Sequence, residues 1–180
     1  MSETFGQFVI GIYKDLPTEY YVAFLIIFCI AVCVILLNNG IQDKWRILSK
    51  VVLSEYVVLT YSSTVFYRPY VEESDHNFNP FWSYFAIFQG KDIFFVENLL
   101  NIMVFVPIGM LLGFSFRRIN WMIIFAFGLL MSLSIEGCQL LFKRGFAEFD
   151  DVFHNTLGCV IGFVIYKAIE YIAANHVQRK

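Results

Sequence analysis

The sequence predicts an all-α integral membrane bundle of about five transmembrane helices, with an extracytoplasmic aromatic loop between the second and third. Three observations predict it. The 180 residues are 58% hydrophobic and 19% aromatic, more apolar surface than a water-soluble domain of this size hides. Apolar runs recur near the length of about 20 residues that lets a helix satisfy its own backbone while crossing a bilayer. Lys and Arg are divided unevenly between the connecting segments. A net charge of −2, with no basic stripe or nucleic-acid motif, sets DNA and RNA aside as partners. Membrane lipids and lipid-linked molecules remain.

Taken in order, residues 1–19 contain "FGQFVIGIYKDLP", too short to cross and without a basic leader or cleavage site, and are expected to lie at the interface. Residues 20–66 hold the first two spans, Tyr20 to Leu37 and Ile47 to Phe66, the second with Lys50 near one end and Glu55 at mid-depth. Ser54, Thr60, Ser62 and Ser63 make that helix polar enough for a packed interior, which favours a structural role for Glu55. Residues 67–96 form the loop, where Phe78, Phe81, Trp82, Tyr84, Phe85 and Phe88 give the aromatic density of a membrane–water boundary. Such a loop anchors itself along the surface or serves as a lipid platform. Residues 97–174 carry the last three spans, Leu99 to Phe116, Trp121 to Phe142 and Phe153 to Ala173, with Lys167 able to snorkel towards the headgroups. Residues 175–180 are a cytoplasmic tail. Cys29, Cys33, Cys138 and Cys159 all fall within spans, where they behave as small apolar residues.

Eight basic residues, Lys44, Arg46, Lys50, Arg117, Arg118, Lys167, Arg179 and Lys180, stand against five on the other side, Lys14, Arg68, Lys91, Lys143 and Arg144. The positive-inside rule then puts the N-terminus outside and the C-terminus inside the cell membrane. In that orientation three polar groups share the outer leaflet. Asn98 and Asn101 open the third span one turn apart, Glu136 and Gln139 close the fourth at the same spacing, and Asp150, Asp151, His154 and Asn155 lead into the fifth. "GMLLG" from Gly109 and "GCVIG" from Gly158 are small-xxx-small patterns that let helices pack closely at this level, and Pro107 removes one backbone donor near the Asn101 turn. An acid such as Glu136 costs about 2.5 to 3.5 kcal/mol at membrane depth on insertion scales, so it requires a partner or a wet cavity. Arg144 is the cation expected to reach back to it.

"ENLLNIMVFVPIGMLLGF" followed by "SIEGCQLLFKRGFAEFDDVFHNTLGCVIG" resembles the VanZ-like family of small bacterial membrane proteins, over residues 97 to 162. Asn98, Asn101, Phe105, Pro107, Gly109, Glu136, Gln139, Arg144, Asp151, Asn155, Thr156 and Gly158 stand where the family pattern has them. Two positions depart from it: Ala147 occupies the place of an acid, with Glu148 one later, and His154 replaces an apolar residue. The resemblance implies a role at the outer face in resistance to a lipoglycopeptide such as teicoplanin, through the drug's access to the cell surface. It implies no mechanism.

The residues themselves leave three readings. In a binding or shielding protein, Asn98, Asn101, Gln139, Asp150 and Asn155 orient an anionic or amide-bearing ligand, a lipid-linked cell-wall component or the lipoglycopeptide, while the loop holds its lipid tail. In a membrane-embedded enzyme acting on such a molecule, Glu136 is the acid or base, Arg144 holds an anionic group and Asp151 assists; no serine elbow or Cys–His pair accompanies them. In the third, the polar residues clamp helix to helix with no ligand. Asp151 and His154, with Asp150, Glu148 or Glu136, make only a generic oxygen-rich set, so no metal is expected, and no cofactor is called for. Nothing in the sequence sets an oligomeric state.

Overall fold

The structure, a computed structural model, describes residues 18–37, 43–72 and 75–178. Six α-helices occur among them: α1 Thr18–Leu37, α2 Lys44–Tyr61, α3 Trp82–Phe88, α4 Ile93–Ser115, α5 Trp121–Phe142 and α6 Phe149–Gln178. A π-helical turn, Ser62–Phe66, extends α2, and two three-residue strands, β1 Asp75–Asn77 and β2 Phe146–Glu148, pair in parallel. The fold class is the expected helical membrane bundle. The interfacial reading of residues 1–19 lies largely outside the described residues.

Helices α4, α5 and α6 up to His176 are long and apolar enough to cross a bilayer by length and composition. The first two expected spans also form helices. However, α2 carries Lys44, Arg46, Lys50 and Glu55, and the described apolar run of α1 is the shorter Leu25–Ile35. Outward side chains of α1 such as Leu25, Ile30 and Val34 are more than half exposed, a pattern that suits contact with lipid rather than water. Two helix starts lie earlier than expected. α4 begins at Ile93 rather than Leu99, and α6 begins at Phe149 rather than Phe153, with Asp150 and Asp151 in its first turn, where acids favour the positive end of the peptide dipoles.

The centre of the bundle is the packing of α4 beside α6. The two run parallel, and the small residues foreseen in the sequence lie where the backbones meet. A Cβ added at Gly109 would fall on the carbonyl of Cys159, one at Gly158 on the carbonyl of Ile102, and one at Gly162 on the carbonyl of Val106. Phe105, Ile108, Ile124, Ile135, Cys159 and Phe163 fill the surrounding core. α4 runs on through Pro107, and the Tyr56 hydroxyl of α2 donates to the carbonyl of Val104, three residues earlier. At one end of the bundle Arg117 bonds to Asp43, joining the start of α2 to the turn between α4 and α5, and holds that carboxyl below its usual range. At the other end the polar residues gather.

The loop between α2 and α4 does more than lie along a surface. β1 lies beside β2 with Asp75, His76 and Asn77 opposite Phe146, Ala147 and Glu148, so the loop is tied to the turn between α5 and α6. Phe81 takes a left-handed backbone at φ 63° as the chain turns into α3, whose Phe85 and Phe88 are exposed. Trp82 points the other way, edge-on to Phe94 and Phe146.

Candidate functional site

Four helix ends converge on a cavity of ≈ 580 Å³, with the end of α2 on one side, the start of α4 and the end of α5 on others, and the start of α6 closing it. Apolar walls come from Leu59, Leu100, Val104, Phe105 and Ile135. Asn101, Glu136, Gln139, Asp151 and Asn155, five of the expected site residues, line it together. Asn101 Nδ2 donates to Asp151 Oδ1 at 2.6 Å, bridging α4 and α6 across the cavity wall. Asn155 Nδ2 donates to Ser132 Oγ at 2.8 Å, fixing its amide against α5. Gln139, 2% exposed, donates through Nε2 to the carbonyl of Thr64 in the π-helical turn, and its Oε1 has no partner among the described residues. π turns leave carbonyls out of the regular ladder, and here Thr64 supplies one to the site.

Three expected site residues face elsewhere. Asp150, 1% exposed, accepts from the backbone N–H of Phe81 at 2.5 Å and of Ser83 at 2.9 Å, and from Ser83 Oγ at 2.6 Å. It thereby caps α3 from a distance, because the first N–H groups of a helix lack partners of their own. Asn98 joins the same chain by donating Nδ2 to Ser83 Oγ at 3.0 Å, so both residues hold the loop rather than line the cavity. Arg144 does not reach Glu136. Its Nη1 donates to the carbonyls of Phe66, at 2.6 Å, and Arg68, at 3.0 Å, which end the π-helical turn. Those carbonyls have no helical donor, and the two N–H groups of one guanidinium nitrogen answer both.

Glu136 is instead met by the backbone N–H of Glu148, 2.9 Å from its Oε2, because β2 passes over the end of α5. Arg68 is the cation that lines the cavity and acts electrostatically on Glu136 and Asp151. It lies across Gly145, where the backbone has φ 102° and where an added Cβ would come within 2.7 Å of the guanidinium. Arg68 escaped the sequence reading because its only signal is position, on a loop whose destination no periodicity reveals. Glu97 and Glu148 were also missed as lining residues. Glu148 takes the Trp82 indole N–H on Oε2 at 3.0 Å. Burial, then the neighbouring charge of Asp151, pushes the Glu148 carboxyl up to about 8, against the Trp82 bond.

The two departures from the family pattern also have places. Ala147 is buried in β2 opposite His76, where an acid would have no water, and Glu148 beside it supplies the carboxyl. His154 is 1% exposed, with its Nε2 2.8 Å from the Tyr84 hydroxyl of α3. It belongs to the packing of the loop and not to the cavity.

The family model described as VanZ/LLP1 matches residues 22–170. The chain is similar to "Protein VanZ" of Enterococcus faecium, 38% identical over 72 residues, which are 40% of this chain and 45% of that relative. The chain thus matches less than half the length of that relative. No solved structure matches it.

Proposed function

The chain belongs to the VanZ/LLP1 family, and from that premise we propose that it lowers susceptibility to teicoplanin-type lipoglycopeptides by binding a ligand in the polar cavity, at the outer face of the bacterial membrane. One observation carries this reading. The cavity brings polar groups from four helices around a space large enough for part of a ligand, with apolar walls between them. A clamp that served only the fold would leave no such space. Asn98, Asp150 and Arg144 do their clamping outside the cavity, where they hold the loop and the π-helical turn.

Arg68, not Arg144, is the cation this reading places beside a ligand. Asn101 and Asn155 are held in fixed poses by Asp151 and Ser132, so the cavity presents polar groups set in place before a ligand arrives. The excess of basic residues on the opposite connections supports the outward orientation.

Substituting Glu136→Gln and Arg68→Gln in cells, with protein level and teicoplanin susceptibility measured together, tests the reading. Normal abundance with lost protection is expected; unchanged protection in both variants refutes it. Single cysteines at Asn79 and Asn120, in a chain cleared of its own, test the orientation, since only the former reacts with an impermeant maleimide added outside.

A second reading is favoured by the nearness of Glu136, Asp151 and Glu148 in one cavity, acids whose charges act on one another and which could pass a proton to and from a substrate. It makes the protein an enzyme using Glu136 as acid or base on a lipid-linked precursor or on the drug. A lipid or antibiotic altered in mass only in cells with an intact Glu136 distinguishes it.

A further inference from the structure

We propose that the cavity receives the primary ammonium group of a lipid-borne amine, held by Glu97, Glu136, Glu148 and Asp151 around the carbonyl oxygen of Gln139. The inference rests on the ligand-binding reading above and names the chemical class of the ligand.

Counting donors and acceptors leads there. Four carboxyl groups line the cavity against one guanidinium, Arg68. Glu136, Glu148 and Asp151 each use one oxygen for a protein N–H, from Glu148, Trp82 and Asn101 in turn. Gln139 points to a ligand independently of the acids. Its Nε2 is fixed on Thr64, so its orientation is set, yet its buried Oε1 accepts nothing from the described residues. An acceptor in that position calls for a donor. An anion entering the cavity would meet four carboxyls. A primary ammonium brings three donors, no acceptor and the missing positive charge. Burial and the neighbouring Asp151 push the Glu148 carboxyl up to about 8, and an ammonium beside it would favour its charged form.

Lipid attachment follows from the surroundings. Trp82, which packs on Phe146 in the cavity wall, belongs to α3, and the exposed rings of that helix make an aromatic band suited to the headgroup region. Arg68, resting on Gly145, is placed to take a phosphate beside the amine. The amine therefore comes either with a phosphate, as in a phospholipid headgroup, or without one.

The full chain in nanodiscs of phosphatidylcholine, whose quaternary ammonium has no N–H, tests the assignment. Dodecylamine, dodecyl phosphate and dodecyl maltoside share a tail and differ in head. Dodecylamine is expected to bind saturably and about tenfold or more tighter than the other two, and Glu97→Gln and Gln139→Met are each expected to weaken it about tenfold. Glu97→Gln keeps size and removes charge, so its thermal unfolding should match the parent and separate a lost ligand from a lost fold. Phosphatidylethanolamine added to the nanodiscs and read by native mass spectrometry gives the source. Retention that depends on both Glu97 and Arg68 identifies a phospholipid headgroup; dodecylamine binding without such retention identifies an amine lacking the phosphate. Dodecyl phosphate binding as tightly as the amine, non-saturable amine uptake, or indifference to both substitutions overturns the proposal. Drug susceptibility keeps the two readings apart. Amine binding with protection intact in Glu136→Gln cells removes the resistance role alone. Protection lost at normal abundance, with no amine binding, removes the ammonium assignment alone.

Discussion

Replacing Gly158 by alanine sets two effects against each other, and the geometry decides which wins. Within a helix, alanine is favoured over glycine by about 0.5–1 kcal/mol because it has less backbone freedom to lose. At Gly158 the new Cβ would fall on the Ile102 carbonyl, with the carbonyl carbon at 2.9 Å and the Cα at 3.0 Å. All three atoms are backbone, so no rotamer change relieves them. α4 and α6 must separate, and the neighbouring close contacts at Gly109 and Gly162 open with them. Overpacking of this kind costs about 1–3 kcal/mol, and a contact surface parted by about 1 Å forfeits up to half its dispersion energy. The net expectation is a loss of about 1 kcal/mol, after the propensity gain is subtracted. Gly137, on α5, has nothing within 4 Å of its added Cβ, so Gly137→Ala should be neutral or stabilising by up to about 1 kcal/mol. Reversible unfolding of the purified protein in mixed micelles with increasing SDS, followed by circular dichroism, measures both. The site should also suffer in Gly158→Ala, because the Asn101–Asp151 bond spans the same two helices. If Gly158→Ala proves as stable as the parent, the close approach of α4 and α6 is wrong.

Three further outcomes follow from particular bonds. Asp150→Asn keeps one acceptor oxygen and gives up the charged one shared by the Ser83 N–H and hydroxyl, so it should cost about 1.5–3 kcal/mol and raise amide exchange across Trp82–Phe88; unchanged exchange there refutes the capping. Arg144→Ala strands the carbonyls of Phe66 and Arg68, so protein abundance is expected to fall, with Arg144→Lys restoring it only in part because its ammonium sits one bond short of the Nη1 position; full activity and abundance in Arg144→Ala contradict this. Glu148 has a folded-state carboxyl at about 8 against an ordinary 4.5, so its contribution to stability is fully present below pH 4.5 and is lost as pH rises through about 8. Melting temperatures taken from pH 5 to 9 should fall across that window and flatten in Glu148→Gln.

The sequence made the frame legible where one physical constraint acts alone. Chain crossing a bilayer must satisfy its own backbone, so α5 occupies the same residues, Trp121–Phe142, that its hydropathy marks out. Glycines four apart announced the α4–α6 crossing for the same reason, since only small residues allow that approach. The polar residues were harder. Their depth was readable from helix position, and Asn101, Glu136, Gln139, Asp151 and Asn155 do meet. Their facing was not readable: Asn98 and Asn101 sit one turn apart, yet Ser83 draws the first into the loop while the second keeps the cavity. Arg144 was misassigned because charge pairing with Glu136 ignored the uncapped carbonyls at the end of the π-helical turn. β1 and β2 could not be foreseen, because three polar residues such as Asp75–Asn77 become a strand only when another segment is there to pair with.

The parallel pairing of β1 with β2 has a consequence for how the molecule is made. A ribosome delivers residues 75–77 long before residues 146–148, with two long helices to be inserted in between. Until the second strand emerges, the aromatic loop has nothing to dock on, Glu136 lacks the N–H that meets it, and α3 lacks its distant cap. The recess is therefore completed late in biogenesis, and a nascent chain stalled before residue 146 would lack β2 and α6, and with them Glu148, Asp151 and Asn155 of the lining.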